Sequence, residues 1–184
     1  NSFAAMVSHN QIVEVNPSSG GTISGLAFNN DGTKMFTSYF QKDGDDYYIR
    51  EYNLSTPYDV STRVYAGDSE RCLIDASGGD ADVYTSGGMH DLEFSSDGMK
   101  FFFVIGNNGT NFFSGDNVYG YDLDAPYNLE NCEKASHRTS FDGAALQQAP
   151  SQAGNFPNGA QNKHHTIQGV EISDDGKKLF LIFF

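Results

Sequence analysis

Eight residues of this chain have the type and spacing to do chemistry. Asp43, Asp45 and Asp46 crowd three carboxylates into "DGDD". Clustered hard oxygens suit calcium, but this stretch lacks the loop length and terminal Glu of a helix-flanked calcium site. The competing reading is a solvated acidic turn. His90 with Asp91, Asp116, and the adjacent His164 and His165 form a second, dispersed set. Imidazole and carboxylate together suit zinc or another first-row ion. Neighbouring residues in an extended segment point apart, so His164 and His165 do not make a ligand pair by spacing alone. The competing reading is a set of exposed loop histidines. No motif demands a cofactor, and of the ions considered calcium at Asp43, Asp45 and Asp46 is the better match.

Other chemistries find less support. There is no Gly-x-Ser-x-Gly elbow. Cys72 follows Glu70 and Arg71, and Cys132 precedes Glu133, so neither sits in an electropositive setting that would activate a thiolate. The two cysteines permit one disulfide and demand none. The glycine-rich stretches "SSGG" and "SGGD" lack the Lys-Ser/Thr of a phosphate loop. Acidic residues are plentiful, which leaves a glycosidase-type carboxylate pair open without identifying one. The formal net charge of −13 repels phosphate backbones and argues against a nucleic-acid partner. No apolar run approaches the roughly 18 residues of a membrane helix. Residues 1–10 have neither a basic start nor an apolar core, so any export signal is expected to have been removed already or to lie outside this sequence. Asn53-Leu54-Ser55 and Asn108-Gly109-Thr110 match the glycosylation sequon.

The elements that would hold these residues announce themselves by repetition. "GLAFNNDGTKMF" at Gly25 returns as "DLEFSSDGMKFF" at Asp91 and "GVEISDDGKKLF" at Gly169. Each copy alternates apolar residues with a period of two, turns on Asp-Gly and alternates again, which predicts a hairpin. Nine residues are expected in the core: Leu26, Phe28, Phe36, Leu92, Phe94, Phe102, Val170, Ile172 and Phe180. A second block, "YYIREYNLSTPYDV" from Tyr47, returns as "NVYGYDLDAPYNL" from Asn117. It predicts a third strand ended by Pro57 or Pro126, since proline cannot donate to a ladder. Arg63 to Ala66 can supply a fourth strand. No useful helical periodicity is present.

Units of four short antiparallel strands at this spacing point to a radial sheet array. "FNNDGTKMF…EYNLSTPYDVST" resembles the β-propeller repeats of marine bacterial and viral proteins. More loosely, the Phe-x-x-Asp-Gly-x-Lys-x-Phe hairpin is similar to blades of TolB-like and YVTN-like propellers. The resemblance implies an all-β fold of four-stranded blades and says little about chemistry, since such scaffolds host binding, assembly and catalysis alike.

The expected layout is one propeller-type domain over 1–184. Residues 1–21 would give an outer strand, 22–66 and 88–132 two blades, and 167–184 the first hairpin of another. Segments 67–89 and 133–166 read as long connections. Such a chain holds an incomplete ring, so the partner is expected to be further copies of it or the remainder of a longer chain. Three blades each would let a dimer reach six, within the usual range of about 4–8. The irregular loops gather on one face, where function on a rigid scaffold usually lies. They would bring His90, Asp91, Asp116, His164 and His165 toward a glycan or protein ligand. The leading expectation is a non-enzymatic binding or structural module, secreted or on a particle surface. The rival is a glycan-acting hydrolase or lyase.

Overall fold

A computed structural model describes residues 22–41, 46–74, 89–105, 117–130, 132, 138–142, 167–173, 175 and 177–183. Every extended element lies in an antiparallel sheet. The first sheet holds β1 (Thr22–Phe28), β2 (Lys34–Gln41), β3 (Asp46–Leu54), β4 (Arg63–Tyr65) and β5 (Arg71–Ile74). The second holds β6 (Met89–Phe94), β7 (Lys100–Ile105), β8 (Asn117–Asp122) and β9 (Arg138–Asp142). The third is the hairpin of β10 (Ile167–Ile172) and β11 (Leu179–Phe183). The all-β expectation therefore holds, and the three hairpins fall where the repeats put them.

Two strands lie inside segments that read as connections. The first half of β3 pairs with β5, and its last three residues pair with β4. The fourth place of the first sheet is thus shared by two short strands. They are separated by a break at Gly67, whose φ of 116° suits a residue without a Cβ. In the second sheet the fourth place belongs to β9, which pairs with β8 over its whole length. The segment 1–21, read as an outer strand, lies outside the described residues.

The Asp-Gly turn and the Pro-Tyr corner are one device. Asp31 Oδ1 accepts from the Thr33 amide (2.9 Å) and hydroxyl (2.6 Å). Asp97 accepts from Met99 N and Ser95 Oγ, and Asp175 from Lys177 N and Ser173 Oγ. These bonds hold all three carboxyls below the ordinary aspartate range. The turn glycines take positive φ, 71° at Gly32 and 69° at Gly98. Their carbonyls then accept from the Tyr58 and Tyr127 amides at 2.9 and 2.8 Å. Both tyrosines sit at positive φ themselves, 59° and 54°, which is costly for a bulky residue. The cost is met because each ring lies on the glycine, where a Cβ would come within 2.4 Å (Gly32) or 2.3 Å (Gly98).

The sheets stack face to face. Ala27, Phe36, Ile49 and Ile74 of the first sheet meet Leu92, Phe94, Phe101 and Phe103 of the second in the largest core. Phe36 and Phe94 have ring centroids 4.5 Å apart, with Tyr127 packed on both. Cys72 and Cys132 cross-link the same interface. Lys34 pairs with the buried Glu51 at 2.8 Å and donates to the Tyr127 carbonyl, tying the sheets at their rim. On the far side of the second sheet, Val104, Val118 and Phe102 pack on Val170, Leu179 and Leu181.

This stack corrects the expected core at two positions. Leu26 and Phe180 are each 53% exposed. Leu92, the counterpart of Leu26, is buried because the first sheet covers it. Phe102, the counterpart of Phe180, is half-buried beneath the third sheet. Leu26 and Phe180 point outward from opposite ends of the stack. Phe28 is half-buried against the corner of Tyr58. The other four residues, with Phe36, are buried.

Gly98→Ala should destabilise the fold by well over ~1 kcal/mol, because strain at positive φ adds to a clash with the Tyr127 ring. Urea unfolding measures it. An unchanged midpoint would show that the corner is not tight.

Candidate functional site

Of the eight residues singled out by type, two have described side chains. His90 and Asp91 lie together on β6, where the register with β7 shifts between Met89 and Asp91. Asp46 begins β3. Asp43, Asp45, Asp116, His164 and His165 lie outside the described residues, so the calcium reading of "DGDD" and the dispersed histidine set meet no geometry here. Among the described residues, no group of three or more His, Cys, Asp or Glu is placed to hold a metal ion.

The described site is built where β1, β6 and β10, the first strands of the three sheets, run beside one another. Small residues permit the approach. A Cβ on Gly25 would lie 2.9 Å from the Leu92 amide nitrogen. Ser24 Oγ donates to the Met89 carbonyl, and Ser38 Oγ accepts from the Gly25 amide at 2.6 Å. Asp91 bridges the next pair. One carboxylate oxygen accepts from its neighbour Leu92 N and the other from Val170 N on β10, both at 2.9 Å. Asp91 is therefore a strap between two sheets.

Two residues further along β6, Glu93 points to the same side. Its carboxyl is half-buried and meets the negative charges of Glu171 on β10 and of Asp91. Burial first, then these two charges, push its pKa from the ordinary 4.5 up to about 7. The β7 cation on this side, Lys100, is engaged by Asp122. A carboxyl that keeps its proton near neutrality beside other carboxylates can donate that proton, as a general acid does. Glu93 and Glu171 escaped the sequence reading because their meeting joins different repeats. The available signal was internal. Their shared position holds Ala27 in the first repeat, so charge there is not demanded by the hairpin.

No protein-family model matches this sequence, and no curated protein or solved structure matches it either.

The raised pKa of Glu93 sets a pH window. A group whose pKa is higher when folded contributes its stability fully below the unfolded value. That contribution is lost as pH rises through the folded value. For Glu93 the loss runs from about 4.5 to about 7. The turn aspartates act in the opposite sense and only below about 4, because their folded values are lowered. Thermal unfolding should therefore show Tm falling between about pH 4.5 and about pH 7, and Glu93→Gln should flatten that fall. The same slope in the variant would assign it to another group.

Proposed function

We propose that this chain is part of a β-propeller serving as a non-enzymatic binding or structural module outside the cell or on a particle surface. The observation that carries the reading is the regular face-to-face stack of three antiparallel sheets, with β1, β6 and β10 side by side along one edge. Blades of a propeller are related in this way around an axis. The repeated turn-and-corner device adds support, since it returns at the same place in two successive sheets. The Cys72–Cys132 cross-link suits an oxidising compartment, and the charge of −13 keeps such a surface soluble.

The two ends of the stack supply the assembly reading. Phe180 and Ile182 (64% exposed) on the outer face of the third sheet leave apolar surface that another sheet would cover, and Leu26 is exposed at the other end of the stack. A second copy can provide it, and two copies of three sheets would give six blades, inside the usual range of about 4–8. The alternative occupant is a further repeat of a longer chain.

One observation favours an enzyme instead. Glu93, whose burial and neighbouring charges hold its proton up to about pH 7, has the character of the general acid that a glycoside hydrolase or lyase uses. In that case a panel of glycan substrates should reveal turnover that Glu93→Gln abolishes.

Light scattering tests the main reading. The expected result is a dimer whose mass drops to one chain in a Phe180→Asp, Ile182→Asp variant that keeps its strand content. A well-folded monomer at every concentration would overturn closure between copies. Ring-shaped particles by electron microscopy would distinguish a closed propeller from an open stack of sheets.

A further inference from the structure

The rim of the first sheet departs from that of the second at two positions that change together. On the second sheet, Lys100 of β7 lies opposite Asp122 of β8, and the two form an ion pair across the ladder. Two residues earlier on β8 stands Gly120, where a Cβ would come within 2.9 Å of the Phe102 ring. The matching positions on β3 hold Asn53 and Glu51. Lys34, opposite Asn53, turns instead to Glu51 at 2.8 Å and to the Tyr127 carbonyl at 3.2 Å. Glu51 is buried, so the carboxylate has moved inward along the strand. An uncharged amide stands in the place it left.

That amide faces water. Asn53 and Ser55 are exposed, while Leu54 between them is buried in a cluster with Met35 and Tyr52. Anchoring Leu54 in this cluster holds the amide and the hydroxyl at the surface. Asn53-Leu54-Ser55 is also a glycosylation sequon, and its middle residue is not proline. The second sequon, Asn108-Gly109-Thr110, lies outside the described residues. On its other flank Asn53 lies opposite Val64 of β4, which is 66% exposed. Side chains opposite one another in a ladder stand about 5 Å apart, so the first sugar on Asn53 would reach the Val64 methyls. The buried Cys72–Cys132 bridge is an independent sign of the oxidising compartment in which such sugars are attached.

We infer that Asn53 is an acceptor for an N-linked oligosaccharide, held on the rim of the first sheet. The donor class is a lipid-linked oligosaccharyl diphosphate. Asn53 Nδ2 forms the bond to the anomeric carbon as the bond from that carbon to the diphosphate oxygen breaks. The lipid diphosphate leaves, and the amide gives up one proton. The glycan then supplies at this edge the solvation that the Lys100–Asp122 pair supplies on the second sheet. The inference rests on the export part of the functional reading and not on closure of a ring.

Glycan mapping of the full chain tests it. The chain is expressed in a eukaryotic secretory line, recovered from cells and medium together, and its peptides are weighed before and after treatment with a glycan-releasing amidase. Asn53 should carry a glycan in wild type. Asn53→Asp removes the acceptor and restores the residue found on the second sheet, and Ser55→Ala removes the hydroxyl while keeping the amide. Both variants should lose the glycan at this site. Made without glycans in bacteria, Asn53→Asp should melt within about 2 °C of wild type, which separates loss of the site from loss of the fold. A wild-type chain with its cysteines bridged and Asn53 bare, whatever the state of Asn108, would overturn the inference and leave the export reading standing. A chain recovered from that compartment with its cysteines reduced would overturn both.

Discussion

A β-sheet that is apolar on both sides has to be covered twice, and this requirement organises the molecule. Phe101 and Phe103 look toward the first sheet while Phe102 and Val104 look toward the third. A period of two puts these sets on opposite faces of one strand. No packing of a single sheet on a single neighbour could bury both. The chain therefore builds a stack, and each added sheet covers one face of the last while presenting another. The exposed Phe180 and Ile182 lie on the outer face of the third sheet, where this requirement is still open among the described residues, whereas on the outer face of the first sheet Leu26 is exposed but Met35, Tyr39 and Tyr52 are buried.

Stacking only works if the sheets hold one separation and one register, and the polar bonds are placed to secure both. At the rim, Asn30 donates to the Ser96 carbonyl and Lys34 to that of Tyr127, each joining a corner of one sheet to the corner of the next. At the opposite edge, Ser24 reaches β6 and Asp91 reaches β10. Between these two edges lies the aromatic core, with the disulfide running through it. The turn-and-corner device matters to this plan because it delivers the Tyr127 ring to the interface. That explains why both repeated blocks of sequence recur together: the Asp-Gly turn alone would close a hairpin, but the tyrosine fits only against a glycine.

The parts of the fold governed by local chemistry were legible in the sequence. Alternating residues and Asp-Gly turns located all three hairpins, and Pro57 and Pro126 marked where the third strands stop. The parts governed by distant neighbours were not. The stretch "RTSFD" of β9 has one large apolar residue, so nothing local marks it as the fourth strand of a sheet. "RCLI" of β5 is short and pairs with only the first half of β3, leaving the rest to β4. The bridge between Cys72 and Cys132 joins non-equivalent points of two repeats, and only the stacking brings their α-carbons to 5.7 Å. Glu93 met Glu171 for the same reason. The Asp91 strap was equally hidden, because its partner is a backbone amide on another sheet.

The places where the repeats disagree with one another carry more functional information than the places where they agree. Agreement at Asp31, Asp97 and Asp175 reports a turn, and the structure gives each carboxylate a backbone partner. Disagreement elsewhere in the repeats has no such explanation. Where Ala27 becomes Glu93 and Glu171, a hairpin that tolerates alanine accepts a carboxyl whose proton is held to about pH 7. Where Gly120 and Asp122 become Glu51 and Asn53, an ion pair at the rim moves inward and leaves an amide facing water. Local rules broken against the pattern of the same chain mark sites at which something other than folding is being served. One of these sites is acidic and lies between adjoining first strands. The other is uncharged and lies on the rim of the first sheet. A rigid stack that holds two such departures apart is suited to presenting separate chemistry on a common frame.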